Sequence, residues 1–324
     1  MATRLRGRLT LLLGASLVAV VGLAVAGSAL GSGSGAQACG TVTLNEQAWT
    51  GSTANTYVLK NVLEKRLGCK VNITQITEIP VYQAMADGKV DAVTEDWQHV
   101  DQYKQFVKKQ KSVVLLGSNG LTGHIGWFIP KYLLAKYPGF KTWKGLKGKE
   151  TVFKTVESGS QGMFLGGDPS YVQKDEELIE ALGLNFKHVT VGAESAEVAR
   201  FTQMIKQRKP VIFYWWTPQY LNAQLNLAEV KLPPRFKGCQ DDHTAGGDVK
   251  KYRCAYDAYP LNKLISKKFA TSGSPAVKVI RKFKWSNADQ NLVAKWIAGD
   301  KMKPEDAAAK WIAANKAKVA AWLK

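Results

Sequence analysis

Short apolar runs alternate with segments of helical spacing along almost the whole chain beyond residue 40, and that alternation leaves few architectures open. TVTLNEQAW (41–49), VNITQI (71–76), VDAVTEDW (90–97) and SVVLLG (112–117) each read as a strand. Between the first two lies a helix with Val58, Leu59, Val62, Leu63 and Leu67 on one face, capped by Ser52 or Thr53 and stopped by Gly68. After Gly117 the pattern restarts with strands GWFIP (126–130), TVFK (151–154), PVIFYWW (210–216) and YPLNKLIS (259–266). Helical patterns at 176–182 and 196–206, the second capped by Ser195, lie among them, and Ala-rich helices close the chain. This order predicts an α/β fold with mostly parallel sheets.

The first 38 residues read as an address rather than as part of the fold. Arg4, Arg6 and Arg8 precede the apolar run Leu9 to Leu30, and a small-residue cleavage site comes next at Ala36-Gln37-Ala38. The alternative is an uncleaved N-terminal anchor on a Gly/Ser tether. Either way the remainder is expected to be exported and extracytoplasmic. Removing 38 of 324 residues leaves 286, more than a typical single core holds, which predicts two lobes.

Export permits disulfides. Cys239 and Cys254 flank a polar loop, and closing it would stabilise by about 3 kcal/mol. Cys39 and Cys69 each directly precede a strand; if those strands are parallel neighbours, the two thiols meet at one sheet end. Lipidation of Cys39 is the competing reading and excludes that bridge.

The chain carries 45 Lys plus Arg against 26 Asp plus Glu, and losing the three leader Arg lowers the formal charge from +19 to +16. The basic residues are spread, and no recognition helix or zinc signature accompanies them. A basic solvated surface is therefore expected, not a nucleic-acid binder.

Catalytic constellations are equally poor. The four His (99, 124, 188 and 243) show no metal spacing, Ser158-Gly159-Ser160-Gln161-Gly162 lacks the first Gly of a nucleophile elbow, and no phosphate loop occurs. No catalytic residue, metal or cofactor is expected. The rival reading, a secreted hydrolase or carbohydrate-binding module in the same cleft, would need Ser160 as nucleophile with His99 or His124 in reach.

Aromatic residues at strand ends say more. Trp49, Trp97 and the pair Trp215-Trp216 close three separate strands, and ligands of parallel α/β sheets bind beyond the carboxyl ends of strands. Several indoles with no catalyst suit a quaternary ammonium, whose charge is best met by π-faces. The loop Gly159-Ser160-Gln161, read as preceding a helix, offers backbone N–H groups to a ligand carboxylate. A stacked sugar competes, but it needs planar polar partners that these strand ends do not supply.

At these residues the chain resembles the substrate-binding proteins of ABC importers for glycine betaine, proline betaine, carnitine and choline. The segments that carry the resemblance are AWTGSTAN (48–55), MADGKVDAVTEDWQHVDQY (85–103), GWFIP (126–130), GGDPSYVQKDEELIEALGLNFK (166–187) and KPVIFYWWTPQY (209–220). The resemblance implies a two-lobed, clamshell periplasmic-binding-protein fold with two crossovers, residues 39–122 plus 226–324 in one lobe and 123–225 in the other. It also implies a monomer that delivers its ligand to an ABC permease at the membrane surface. Trp97 and Trp216 match cage positions and Trp49 lies at the cleft. The loop at 158–162 lacks the family's third Trp, with Met163 and Phe164 the nearest bulky residues, so Trp215, Tyr214 or Trp49 is left to complete the cage. His99 sits two residues after Trp97, nearer than the family's His, and Asp101 takes the matching offset. Glycine betaine is the first ligand expected. The acidic neighbours Glu95, Asp96 and Asp101 raise choline beside it.

Overall fold

Nine strands form a single mixed sheet in the computed structural model, which describes residues 39–324. The leader, anchor and cleavage-site readings at 1–38 lie outside these residues. The strands are β1 (Thr41–Asn45), β2 (Lys70–Thr74), β3 (Ala92–Asp96), β4 (Val113–Pro130), β5 (Gly162–Gly166), β6 (Phe186–Thr190), β7 (Ile212–Thr217), β8 (Leu227–Glu229) and β9 (Ala258–Ser266). Their spatial order is β2-β1-β3-β9-β4-β7-β5-β6, with β8 also on β4.

Two parallel sets flank an antiparallel centre. In one, β1 pairs with β2 and β3; in the other, β5 pairs with β6 and β7. Between them β9 runs antiparallel to β3 and β4, and β4 antiparallel to β7. The expected strands SVVLLG and GWFIP are thus the two ends of one strand, β4, whose pairing with β9 slips between Leu115 and Gly117 and again between Ser118 and Thr122. Gly117 and Gly120 have φ of 79° and 93°, a region open to glycine, so what reads as an interruption in sequence is a set of irregularities inside a continuous strand.

The helix Thr50–Leu67 buries Ala54, Val58, Leu59, Val62 and Leu63 and ends at Gly68, whose φ of 68° suits the left-handed cap. Its start differs from the expected one. Trp49 is the N-cap, and the Ser52 hydroxyl instead accepts the Gln47 N–H. Likewise Ala193, not Ser195, caps Glu194–Lys206. TVFK forms part of a 3₁₀ turn, Glu150–Phe153, because four apolar-rich residues do not distinguish a strand from a turn.

Both disulfides are present: Cys39–Cys69 and Cys239–Cys254. The first is a consequence of register, since β1 and β2 are parallel with Thr41 opposite Lys70. With its sulfur in that bond, Cys39 has no thiol for a lipid.

Candidate functional site

Five strand ends converge on one small, narrow cavity. Trp49 comes after β1, Glu78 after β2, Trp97 after β3 and Tyr171 with Val172 after β5, while Tyr214 and Trp216 lie on β7. All of these are carboxyl ends, the side on which parallel sheets bind ligands. The rings meet at steep angles: Trp49 and Tyr171 at 5.5 Å and 88°, Tyr171 and Trp216 at 5.8 Å and 78°. The Tyr171 hydroxyl donates to the Ala48 carbonyl at 3.0 Å, and Tyr214 donates to the Val172 carbonyl at 3.1 Å.

Glu95 organises the indoles. Its Oε1 accepts both the Trp49 Nε1–H at 2.9 Å and the Trp97 Nε1–H at 3.0 Å, while Oε2 accepts from Asn55 and Gln290. Burial pushes its carboxyl up to about 7 despite these four donors. Behind Trp97 the strand β4 comes very close: a Cβ at Gly123 would lie 2.7 Å from the indole. Glu95 is therefore a positioning residue, and it does not line the cavity.

His99 is fully buried between two carboxylates, Asp242 at 3.0 Å from Nδ1 and Glu78 at 3.6 Å from Nε2. Burial opposes its charge, but these two acids prevail and raise its pKa to about 10. The other acids expected near the ligand are engaged elsewhere. Asp96 accepts from the Tyr82 and Tyr103 hydroxyls, and Asp101 pairs with Lys104.

Of the expected site residues, Trp49, Trp97, Trp216 and Tyr214 come together; Trp215, His99 and Glu95 do not reach the cavity. Trp215 is fully buried and outside the cavity, although its ring still packs against that of Trp216 at 4.4 Å. Its indole donates to Asn222 and its ring packs on Phe201 at 4.8 Å. Gly159, Ser160 and Gln161 are a correction. The next element along the chain is strand β5, not a helix, so they sit at its amino end while the cavity lies beyond its carboxyl end. Ser160 is exposed at the amino end of β5, and among the described residues no hydrogen bond joins it to His99, which is bound to Asp242, or to His124, which is bound to Glu229 at 2.8 Å. Met163 and Phe164, being on β5, are core residues. The residues missed in the sequence are Tyr171 and Glu78, both on loops. A Tyr within the family-like segment GGDPSY was the signal available for the first.

The fold and the strand-end cavity define a solute-binding protein of the periplasmic-binding class. The chain belongs to the family of substrate-binding domains of ABC-type glycine betaine transport systems, whose model matches residues 40–314. It is 25% identical over 279 residues to a trimethylamine N-oxide-binding protein of Pelagibacter ubique (strain HTCC1062), covering 80% of this chain and 83% of that one. Among solved structures it resembles lactococcal OpuAC in its closed-liganded conformation with glycine betaine, at 22% identity and a TM-score of 0.66, covering 88% of this chain and 99% of that one. It also resembles an ABC-transporter choline-binding protein in complex with choline, at 20% identity and a TM-score of 0.70, covering 88% and 92%. Among the described residues no helix is long and apolar enough to cross a membrane.

Proposed function

We propose that this is an exported, extracytoplasmic protein that captures a quaternary ammonium osmolyte in the aromatic cavity and delivers it to an ABC permease. The observation that carries the reading is the convergence of Trp49, Trp97, Tyr171, Tyr214 and Trp216 from separate strand ends on one small hollow. A desolvated cation–π contact contributes about 2 kcal/mol, so three indoles supply about 6. A micromolar site requires about 8 kcal/mol, and the two Tyr rings supply the difference.

In this reading two lobes, residues 39–122 with 226–324 and residues 123–225, close over the ligand. The two parallel strand sets support that division, since β1–β3 fall in the first and β5–β7 in the second. Glycine betaine, choline and carnitine are the candidate ligands, and the protein works as a monomer apart from its permease.

Mass spectrometry of the small molecule retained on gentle purification, then calorimetry with the three candidates, tests this. A methylated ammonium compound bound at micromolar or better affinity is expected. No retained ammonium compound and no heat with any of the three would overturn it.

A further inference from the structure

Among the described residues the cavity wall holds a single charged side chain and no Lys, Arg or His: Glu78, on the loop after β2. Glu78 is only 3% exposed, and its Oε1 has no hydrogen-bond partner. Its Oε2 faces His99 Nε2 at 3.6 Å, too long for a hydrogen bond, and His99 is already shared with Asp242 at 3.0 Å. One imidazolium thus stands between two carboxyl groups; burial raises the pKa of Glu78 while His99 lowers it, and with Glu78 ionised the group carries one surplus negative charge beside the aromatic rings. A buried acceptor without a donor is an expensive arrangement in a closed protein, and it is relieved when a ligand brings the donor.

We infer that Glu78 sets the ligand class of this cavity: a small quaternary ammonium that carries a hydroxyl donor and no carboxylate, of the choline type. The inference rests on the aromatic-cavity reading and narrows it. The methylated nitrogen of such a ligand is solvated by the rings, its hydroxyl donates to Glu78 Oε1, and its single positive charge offsets the surplus negative one. A betaine would instead bring a second carboxylate into a water-poor cavity against Glu78, and like charges at close range in low dielectric repel strongly. The loop expected from sequence to receive that carboxylate, Gly159-Ser160-Gln161, lies at the other end of β5. Asp242 fixes His99 through Nδ1 at 3.0 Å, and the imidazolium faces Glu78 at 3.6 Å as a charge rather than as a hydrogen-bond donor.

The experiment is calorimetry of the whole protein with choline, glycine betaine and tetramethylammonium, which has neither hydroxyl nor carboxylate, repeated with Glu78→Gln. The wild-type protein is expected to bind choline at least tenfold more tightly than glycine betaine. Glu78→Gln should weaken choline at least tenfold and leave glycine betaine unchanged or tighter. Glycine betaine binding as tightly as choline, or an unchanged ratio in the variant, overturns the inference. The wild-type ratio alone decides it should the variant fail to fold. Tetramethylammonium separates the two readings: if it binds while betaine matches choline, the cavity reading stands and the role of Glu78 falls. If none of the three binds, both fall.

Discussion

Trp97 donates its indole N–H at 3.0 Å to Glu95, two residues earlier in its own chain segment. Residues two apart at a strand end share a face, so the carboxylate lies under the ring it holds. Because the same oxygen also receives Trp49, two walls of the cavity share one anchor.

Substitution of the indoles separates binding from packing. Trp97→Ala and Trp216→Ala should each weaken quaternary ammonium binding at least tenfold, measured by calorimetry. Trp215→Ala, fully buried and packed on Trp216 at 4.4 Å, should cost about 3–5 kcal/mol of stability in a denaturant titration and weaken binding less than loss of Trp216 itself. Unchanged affinity in both Trp97→Ala and Trp216→Ala would remove the cage.

Gly123→Ala tests how tightly the Trp97 ring is confined. The added methyl would sit 2.7 Å from the indole, and a rigid ring tied to Glu95 cannot turn aside without losing that bond. Weaker ligand binding with altered Trp fluorescence is the expected outcome; wild-type affinity would mean that the ring yields freely.

Stability should fall as pH rises from mild acid. Glu95 titrates near 7 when folded against an ordinary 4.5, so the native state holds more protons between those values. Its contribution is complete below about 4.5 and is lost as pH passes through about 7. His99, at about 10 against an ordinary 6.5, extends the same trend upward, its contribution complete below 6.5. Burial raises Glu78, Glu194 and Glu197 in the same direction. Above pH 7 Lys263, lowered by burial to about 7, opposes His99, so thermal unfolding midpoints should decline between about pH 5 and pH 7, and Glu95→Gln should flatten that decline. A midpoint that climbs with pH over that range would refute this.

The disulfides are worth comparable amounts. Their sequence separations of 30 and 15 correspond to roughly 3–4 kcal/mol each on the chain-entropy account. Cys239→Ser with Cys254→Ser should also loosen ligand binding, because Asp242 within that loop holds His99 behind Glu78. The paired Cys39→Ser and Cys69→Ser change should lower the melting temperature and leave affinity alone. Equal effects of the two double variants on affinity would contradict that distinction.

Much of this site was legible because strand ends are legible. Trp49, Trp97 and Trp216 each close an apolar run, and the rule for parallel sheets then brings them together without any knowledge of packing. Alternation along β7 would also have kept Trp215 and Trp216 from both lining the cavity, although the two rings pack on each other at 4.4 Å. Tyr171 and Glu78 were illegible for the opposite reason: both sit on irregular loops, where no period relates a residue to its direction. Gly159-Ser160-Gln161 was misplaced because GMFLG is too short to tell strand from helix, and that one choice reversed which end of the element the loop occupies.

The long strand β4 is hydrogen-bonded to β9 along its first part and to β7 and β8 along its last. A gene cut anywhere inside it would therefore yield two fragments, each with a raw row of amide and carbonyl groups ready to aggregate. Shuffling a new ligand-facing half into this scaffold is correspondingly difficult. The break must fall outside residues 113–130, in the connections where no ladder is severed.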